Sequence, residues 1–217
     1  FYFFNLNERN FFIDNFKISD KTVCLHFFWK DKKEENTFFL ACLNENELRD
    51  FLKSNEKISL CNVFIDETSL LTNNFENIEI IDSVIWTDNL NISLNCKGKL
   101  NFNKTIFIGE EINFNNWHID GGCQMSNTKF ICNKLKINNS KFLKGLNLKY
   151  SEFYTDFVEF EKSRVESEEV NFSNISFYNS NVSFAHSFFG KGRKIFSNTS
   201  FGKGFIEIGR ASCRERV

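Results

Sequence analysis

Residues 170–177 read VNFSNISF, and residues 182–189 repeat the pattern twelve positions later as VSFAHSFF. Each cycle holds two large anchors five positions apart, and nine cycles follow one another between Leu100 and Phe201 in steps of 12 or, twice, 11 residues. Self-similarity at a fixed period indicates a repeat architecture. The first anchors are Phe102, Phe114, Met125, Ile137, Leu148, Phe160, Phe172, Phe184 and Phe196, and the second anchors are Phe107, Ile119, Phe130, Phe142, Phe153, Val165, Phe177, Phe189 and Phe201.

The period excludes a helix and a single flat strand. Twelve residues turn an α-helix by about 1200°, so the anchors of successive cycles would drift around it and form no stripe to bury. In one continuous strand, odd spacings would place successive anchors on opposite faces. The chain must therefore turn a corner between anchors.

The positions beside the anchors indicate how the corners are built. The residue two before the first anchor is apolar in eight of nine cycles, and the residue two before the second anchor is Ser or Thr in seven of nine. Asn occupies the bends of five cycles, and Asn tolerates left-handed backbone. We therefore predict short strands stacked as coils, with two cycles per four-sided coil of about 24 residues. A three-sided coil of similar length stays open, and we expect Phe172, Phe184 and Phe196 in register on neighbouring turns.

These residues resemble the pentapeptide-repeat superfamily in a degenerate, Phe-rich form. Residues 187–189 (SFF) and 199–201 (TSF) match its unit, in which a large Leu or Phe and the small residue two before it both point inward. The resemblance covers about 100 residues, and alternating spacings of five and seven depart from the family's strict five. It implies an all-β fold, a right-handed parallel β-helix, and a bacterial source; it implies no particular activity.

The chain divides into three parts. Residues 1–57 lack the repeat; Lys21–Lys30 and Thr37–Leu43 predict a hairpin, and Asn44–Ser54 predicts a short helix that Asn44 caps. We expect this mixed α+β segment to cover the open end of a β-solenoid formed by residues 58–207, because an uncovered end exposes strand edges.

Residues 208–217 contain three Arg but no Asn or Phe, and their back-translation resembles a common short-read sequencing adapter. We therefore predict that this tail is non-native and that the chain is a fragment of a longer protein.

Charge limits the classes of partner. Without the charged residues of the tail the formal net charge changes from −1 to −3, and residues 100–207 carry 13 basic and 11 acidic residues. A nucleic-acid binder would show a basic stripe, so we expect no nucleic-acid partner. No run of 18 apolar residues occurs, so we expect no membrane span in this fragment.

No residue set predicts a catalytic, cofactor or metal site. His26, His118 and His186 are scattered, and His118 lies beside Trp117, which replaces the usual Ser or Thr. The acidic residues Glu159, Glu161, Glu166, Glu168 and Glu169 are interpreted as a solvated face. Among the cysteines no CxxC pair occurs, so we expect buried free thiols and no metal.

The leading functional hypothesis is a non-enzymatic scaffold in the cytoplasm that binds a protein partner, or itself, through its solenoid faces or ends. The first alternative is a β-helix enzyme acting on polysaccharide, which a cleft lined by three carboxylates or histidines would favour. The second alternative is the soluble part of a membrane-associated protein with a pentapeptide-like repeat.

Overall fold

The computed structural model describes residues 11–19, 21–29, 34–43, 45–66, 74–166, 169–178, 180–207 and 212–213. Within these ranges it contains helix α1 (Glu45–Ser54) and short strands. The strands are β1 (Phe11–Ser19), β2 (Thr22–Trp29), β3 (Glu34–Cys42), β4 (Lys57–Cys61), β5 (Val63–Ile65), β6 (Asn74–Phe75), β7 (Asn77–Ile81), β8 (Val84–Trp86), β9 (Asn89–Asn91), β10 (Asn95–Cys96), β11 (Leu100–Asn101), β12 (Ile106–Ile108), β13 (Glu111–Asn113), β14 (His118–Ile119), β15 (Cys123–Gln124), β16 (Lys129–Ile131), β17 (Lys134–Lys136), β18 (Lys141–Phe142), β19 (Leu146–Asn147), β20 (Glu152–Tyr154), β21 (Phe157–Glu159), β22 (Arg164–Val165), β23 (Glu169–Asn171), β24 (Ser176–Phe177), β25 (Asn181–Ser183), β26 (Phe188–Phe189), β27 (Arg193–Ile195), β28 (Ile206–Glu207) and β29 (Ser212–Cys213).

From β4 onward the strands stack in parallel as the four faces of a β-solenoid of about seven turns. Following the chain, each full coil contributes one strand to each of the four faces. The first face contains β4, β7, β11, β15, β19, β23 and β27, and the second contains β5, β8, β12, β16, β20 and β24. The third contains β9, β13, β17, β21, β25 and β28, and the fourth contains β6, β10, β14, β18, β22, β26 and β29.

The strand register gives the length of one coil. On the first face Leu100 lies opposite Cys123, and Leu146 lies opposite Val170. Equivalent positions are therefore about 23 residues apart. The predicted β-solenoid is confirmed, and the four faces decide between the four-sided coil and its three-sided alternative.

The second anchors of alternate cycles form a continuous aromatic stack inside the second face. Ring centroids of Phe130 and Phe153 lie 4.9 Å apart, and those of Phe153 and Phe177 lie 4.6 Å apart, with nearly parallel planes. Offset stacking of this kind adds to the free energy gained by burying each ring. Each coil therefore stabilises the next through its interior.

One expectation about the interior is wrong. Phe172 and Phe196 do stack on neighbouring turns, with ring centroids 5.1 Å apart. Phe184 instead meets Phe172 edge to face, at 6.1 Å between centroids. The reason is that one cycle is half a coil, so Phe184 lies on the opposite side of the core.

Asn residues at the bends and hydroxyl residues beside them occupy most of the corners. The bend residues Asn116, Asn127, Asn139, Asn174 and Asn198 all have positive φ, as the pattern predicts. Beyond most bends a buried hydroxyl links two coils, at a position where the sequence pattern indicated only a small inward residue. The Ser163 hydroxyl donates to the carbonyl of Ile137 at 2.7 Å and accepts the amide of Ser140 at 3.0 Å. These hydroxyls therefore satisfy corner groups that no strand partner reaches.

The segment before the coils packs in two places. Strands β2 and β3 form the predicted antiparallel hairpin, and α1 contributes Leu48 and Leu52 to the interior core, as an end cap would. The β1–β2–β3 sheet instead joins the second face, where β3 pairs with β5. Its Leu25 and Phe27 belong to a separate apolar cluster with Ile106 and other outward side chains of that face. This segment therefore packs on the outer side of the second face and, through α1, against the interior core.

Candidate binding groove

Exposed aromatic and acidic side chains meet on the outer side of the third face, around β25. The candidate groove there has a volume of about 320 Å³, at the small end of the range of ligand sites. Its described lining residues are Phe157, Val158, Glu159, Glu161, Asn181, Val182, Ser183, Phe205 and Glu207.

Strand alternation explains why these side chains point outward. Val158 and Val182 are buried in the core, so their strand neighbours face solvent. Phe157 lies opposite Asn181, and Glu159 lies opposite Ser183, which in turn lies opposite Glu207. The amide of Phe205 donates to Oδ1 of Asn181 at 3.0 Å, which places Phe205 above it.

The groove exists because its central strand carries small side chains. The outward residues of β25 are Asn181 and Ser183, whereas the strands on either side present Phe157 with Glu159, and Phe205 with Glu207. The larger side chains form two walls and the smaller ones form the floor. Phe157 is 49% exposed and Phe205 is 71% exposed, so each wall ends in a free ring.

Neighbouring polar groups hold two of the three carboxylates. Nζ of Lys134 lies 2.5 Å from Oε1 of Glu159, and Nδ2 of Asn138 donates to its Oε2 at 3.3 Å. The Ser183 hydroxyl donates to Oε1 of Glu161 at 2.6 Å. Glu207 is exposed at the rim. None of the described lining residues is basic, so the groove surface is acidic.

The other acidic residues of the predicted cluster do not converge on the groove. Glu166 follows β22 on the fourth face and pairs with Arg164. Glu169 begins β23 on the first face, and Glu168 lies outside the described residues. The structure therefore brings Glu159 and Glu161 together and separates them from the remainder.

The histidines lie on separate elements. His26 is in β2, and His186 is an exposed bend residue with positive φ. His118, on β14, is exposed, and its Nε2 lies 2.9 Å from Oδ1 of Asp120. The described part of the chain contains no group of three or more His, Cys, Asp or Glu residues able to hold a metal ion.

Trp117 is part of the core packing. The ring is buried and stacks on Phe114, with centroids 4.4 Å apart. Its indole N–H donates to the carbonyl of Ile92 at 2.7 Å, just as the Thr105 hydroxyl donates to the carbonyl of Ile80. The indole thus replaces the usual corner hydroxyl bond.

The burial of the cysteine thiols agrees with the prediction only in part. Cys96, Cys123 and Cys132 are buried, whereas Cys61 is exposed, so the prediction of buried thiols is wrong for Cys61. Burial raises the pKa of the Cys123 thiol well above its usual range, and it also raises the pKa of Cys96. These neutral thiols behave as small core residues.

Three groove residues, two aromatic and one acidic, were missed by the sequence reasoning. Phe157 and Phe205 are not anchors, and each directly precedes an inward residue, Val158 and Ile206 respectively. Period-two alternation around Val158 was the available signal, because it turns Phe157 outward. Glu207 was overlooked because it stands apart from the acidic run.

Comparisons with known proteins identified no relative of this chain. No protein-family model, curated protein or solved structure matches this chain. The described part of the chain has no helix with the length and apolar character needed to cross a bilayer. The β-solenoid fold and the geometry of its surface are therefore the basis for any function.

Proposed function

We propose that this chain is a non-enzymatic β-solenoid that binds another protein through its outer surface. The candidate groove carries the proposal, because it exposes two aromatic rings, Phe157 and Phe205, on one face. Exposed apolar side chains gathered at one place mark interaction sites more often than scattered ones do. Aromatic residues are also the usual anchors of protein interfaces.

The stacked coils support a scaffold role. Parallel strands and buried corner hydroxyls pair the backbone between turns, so the outer side chains stand on a rigid support. Rigid support limits the entropy lost when a partner binds. We also propose a degenerate pentapeptide-repeat origin, which the four-sided coil and the inward Ser187 and Phe189 support.

Affinity capture from source cells tests this function. The bait is the whole chain, and the control is the double variant Phe157→Ser/Phe205→Ser, checked for folding by circular dichroism. We expect a protein that binds the wild type saturably, rebinds after purification, and binds the double variant at least fivefold more weakly. A chain that captures no saturably binding protein, and shows no self-association by sedimentation, contradicts the proposal.

Polysaccharide cleavage is the second candidate, because three carboxylates line one groove. Glu159 and Glu207 lie two strands apart, about 9.6 Å along the stack, near the separation found in inverting glycosidases. Lys134 and Ser183, however, already occupy one oxygen each of Glu159 and Glu161, which does not favour proton transfer by either carboxylate. Reducing-end assays on neutral and acidic polysaccharides test this candidate, and turnover lost in Glu207→Gln would favour it over the scaffold.

A further inference from the structure

We propose that the candidate groove binds an extended peptide in which an aromatic or aliphatic residue and a Lys or Arg lie two positions apart. The inference rests on the proposed protein-binding function and names the partner's chemistry. It follows from the order of side chains along the two walls.

Each wall presents a ring and then a carboxylate along the strand. Phe157 and Glu159 are two residues apart on β21, and Phe205 and Glu207 are two residues apart at β28. Alternate residues of an extended chain are about 6.6 Å apart and share a face. A peptide lying along β25 therefore has the same spacing as the walls that flank it.

That match defines two subsites. Phe157 and Phe205 flank the first, with about 9.6 Å between their strands, which leaves room for one apolar or planar side chain. Glu159 and Glu207 flank the second across Ser183, where an ammonium or guanidinium group meets carboxylates from both walls.

Charge complementarity favours a basic peptide over other occupants. Three carboxylates line the groove, and Lys134, which pairs with Glu159, compensates only part of that charge. An Arg side chain also stacks favourably on aromatic rings, so it suits either subsite.

Recognition rests on side chains. The backbone of β25 already pairs with β21 and β28, so the peptide adds no strand to the sheet. Affinity is therefore modest and falls as salt increases, because the charges lie at the surface.

Fluorescence anisotropy with three labelled peptides and the whole chain tests the inference. The first peptide is Gly-Ser-Phe-Thr-Arg-Ser-Gly, the second replaces Arg with Glu, and the third exchanges Thr and Arg so that Arg adjoins Phe. We expect the first peptide to bind at least fivefold more tightly than either of the others, because the exchange turns Arg to the opposite face.

Variants locate the site. We expect Phe157→Ser/Phe205→Ser to weaken binding of the first peptide about tenfold, and Glu207→Gln to weaken it about threefold. The matched controls are Phe39→Ser, whose ring is 65% exposed on β3, and Glu56→Gln, an exposed carboxylate before β4. Both controls should bind as the wild type does.

Equal binding of the three peptides, or equal losses in the control variants, would overturn the inference. It would also fall if cellohexaose bound to the groove while the first peptide did not. If the capture experiment yields a partner whose affinity the double variant leaves unchanged, the peptide site is wrong but the scaffold function stands. If capture and sedimentation find no partner at all, the function itself falls.

Discussion

At the scale of single residues, the smallest side chains decide how closely neighbouring coils approach at their corners. The amide of Gly121 donates to the carbonyl of Gly98 on the coil below, at 2.9 Å. A Cβ added at Gly121 would lie 2.1 Å from that oxygen, which no L-residue tolerates without a backbone shift. This corner therefore requires glycine for close approach.

Gly121→Ala should lower the free energy of unfolding by about 1–3 kcal/mol, since overpacking forces the backbone apart. Gly122→Ala is the matched control, because its added Cβ would meet its nearest atoms at 3.9 Å. Urea denaturation of the two variants measures the difference. Equal midpoints for both would contradict the corner geometry.

A second residue-scale feature is the Tyr154 hydroxyl. Burial, together with its hydrogen bond to the Glu152 carboxylate, raises the pKa of Tyr154 well above its usual range. Above about pH 10 the unfolded chain releases this proton while the folded chain keeps it. The folded state then binds more protons, so stability present at lower pH is lost as pH rises.

We therefore expect Tyr154→Phe to lose less stability than the wild type between about pH 9 and pH 11, because it has no such proton to release. Tyr150→Phe, at an exposed bend, should follow the wild type. Urea midpoints at several pH values measure the slopes. A Tyr154→Phe slope equal to the wild-type slope would show that this hydroxyl is not buried.

At the scale of elements, the corner hydroxyls join one coil to the next. Each donates to a carbonyl on the coil below, as Ser163 does to Ile137 and Ser187 does to Phe160. The sequence indicated a small inward residue at these positions, but the hydrogen bonds depend on which coil atoms lie nearby. The partner carbonyl and amide groups lie on neighbouring coils, so they follow only from the stacking of coils about 23 residues apart.

Ser163→Ala should destabilise the chain by about 1–3 kcal/mol, because the carbonyl of Ile137 and the amide of Ser140 lose a buried partner. Ser163→Thr should restore most of that stability, since Thr128 fills the equivalent corner position. The exposed Ser59→Ala is the control. Thermal denaturation measures the three changes, and a neutral Ser163→Ala would refute the role of the hydroxyl.

At the scale of the whole molecule, the period predicted the coil, but the sequence did not indicate what lies on its outer faces. Ile106 and Ile108 flank the anchor Phe107, and their side chains pack in the apolar cluster outside the second face. The hairpin that covers it comes from a distant part of the chain, so local pattern did not reveal the contact. Local sequence pattern did not reveal the groove either. Its two walls come from strands about 48 residues apart, which is two coils of about 24 residues each.

Every proposal about the surface depends on the length of one coil. Nuclear Overhauser contacts between the backbone amides and rings of Phe130, Phe153 and Phe177 measure it directly. The four-sided solenoid predicts contacts from Phe130 to Phe153 and from Phe153 to Phe177, as stacked neighbours. Contacts linking Phe153 instead to Val165 as a paired strand neighbour, one cycle away, would contradict the coil and the groove built on it.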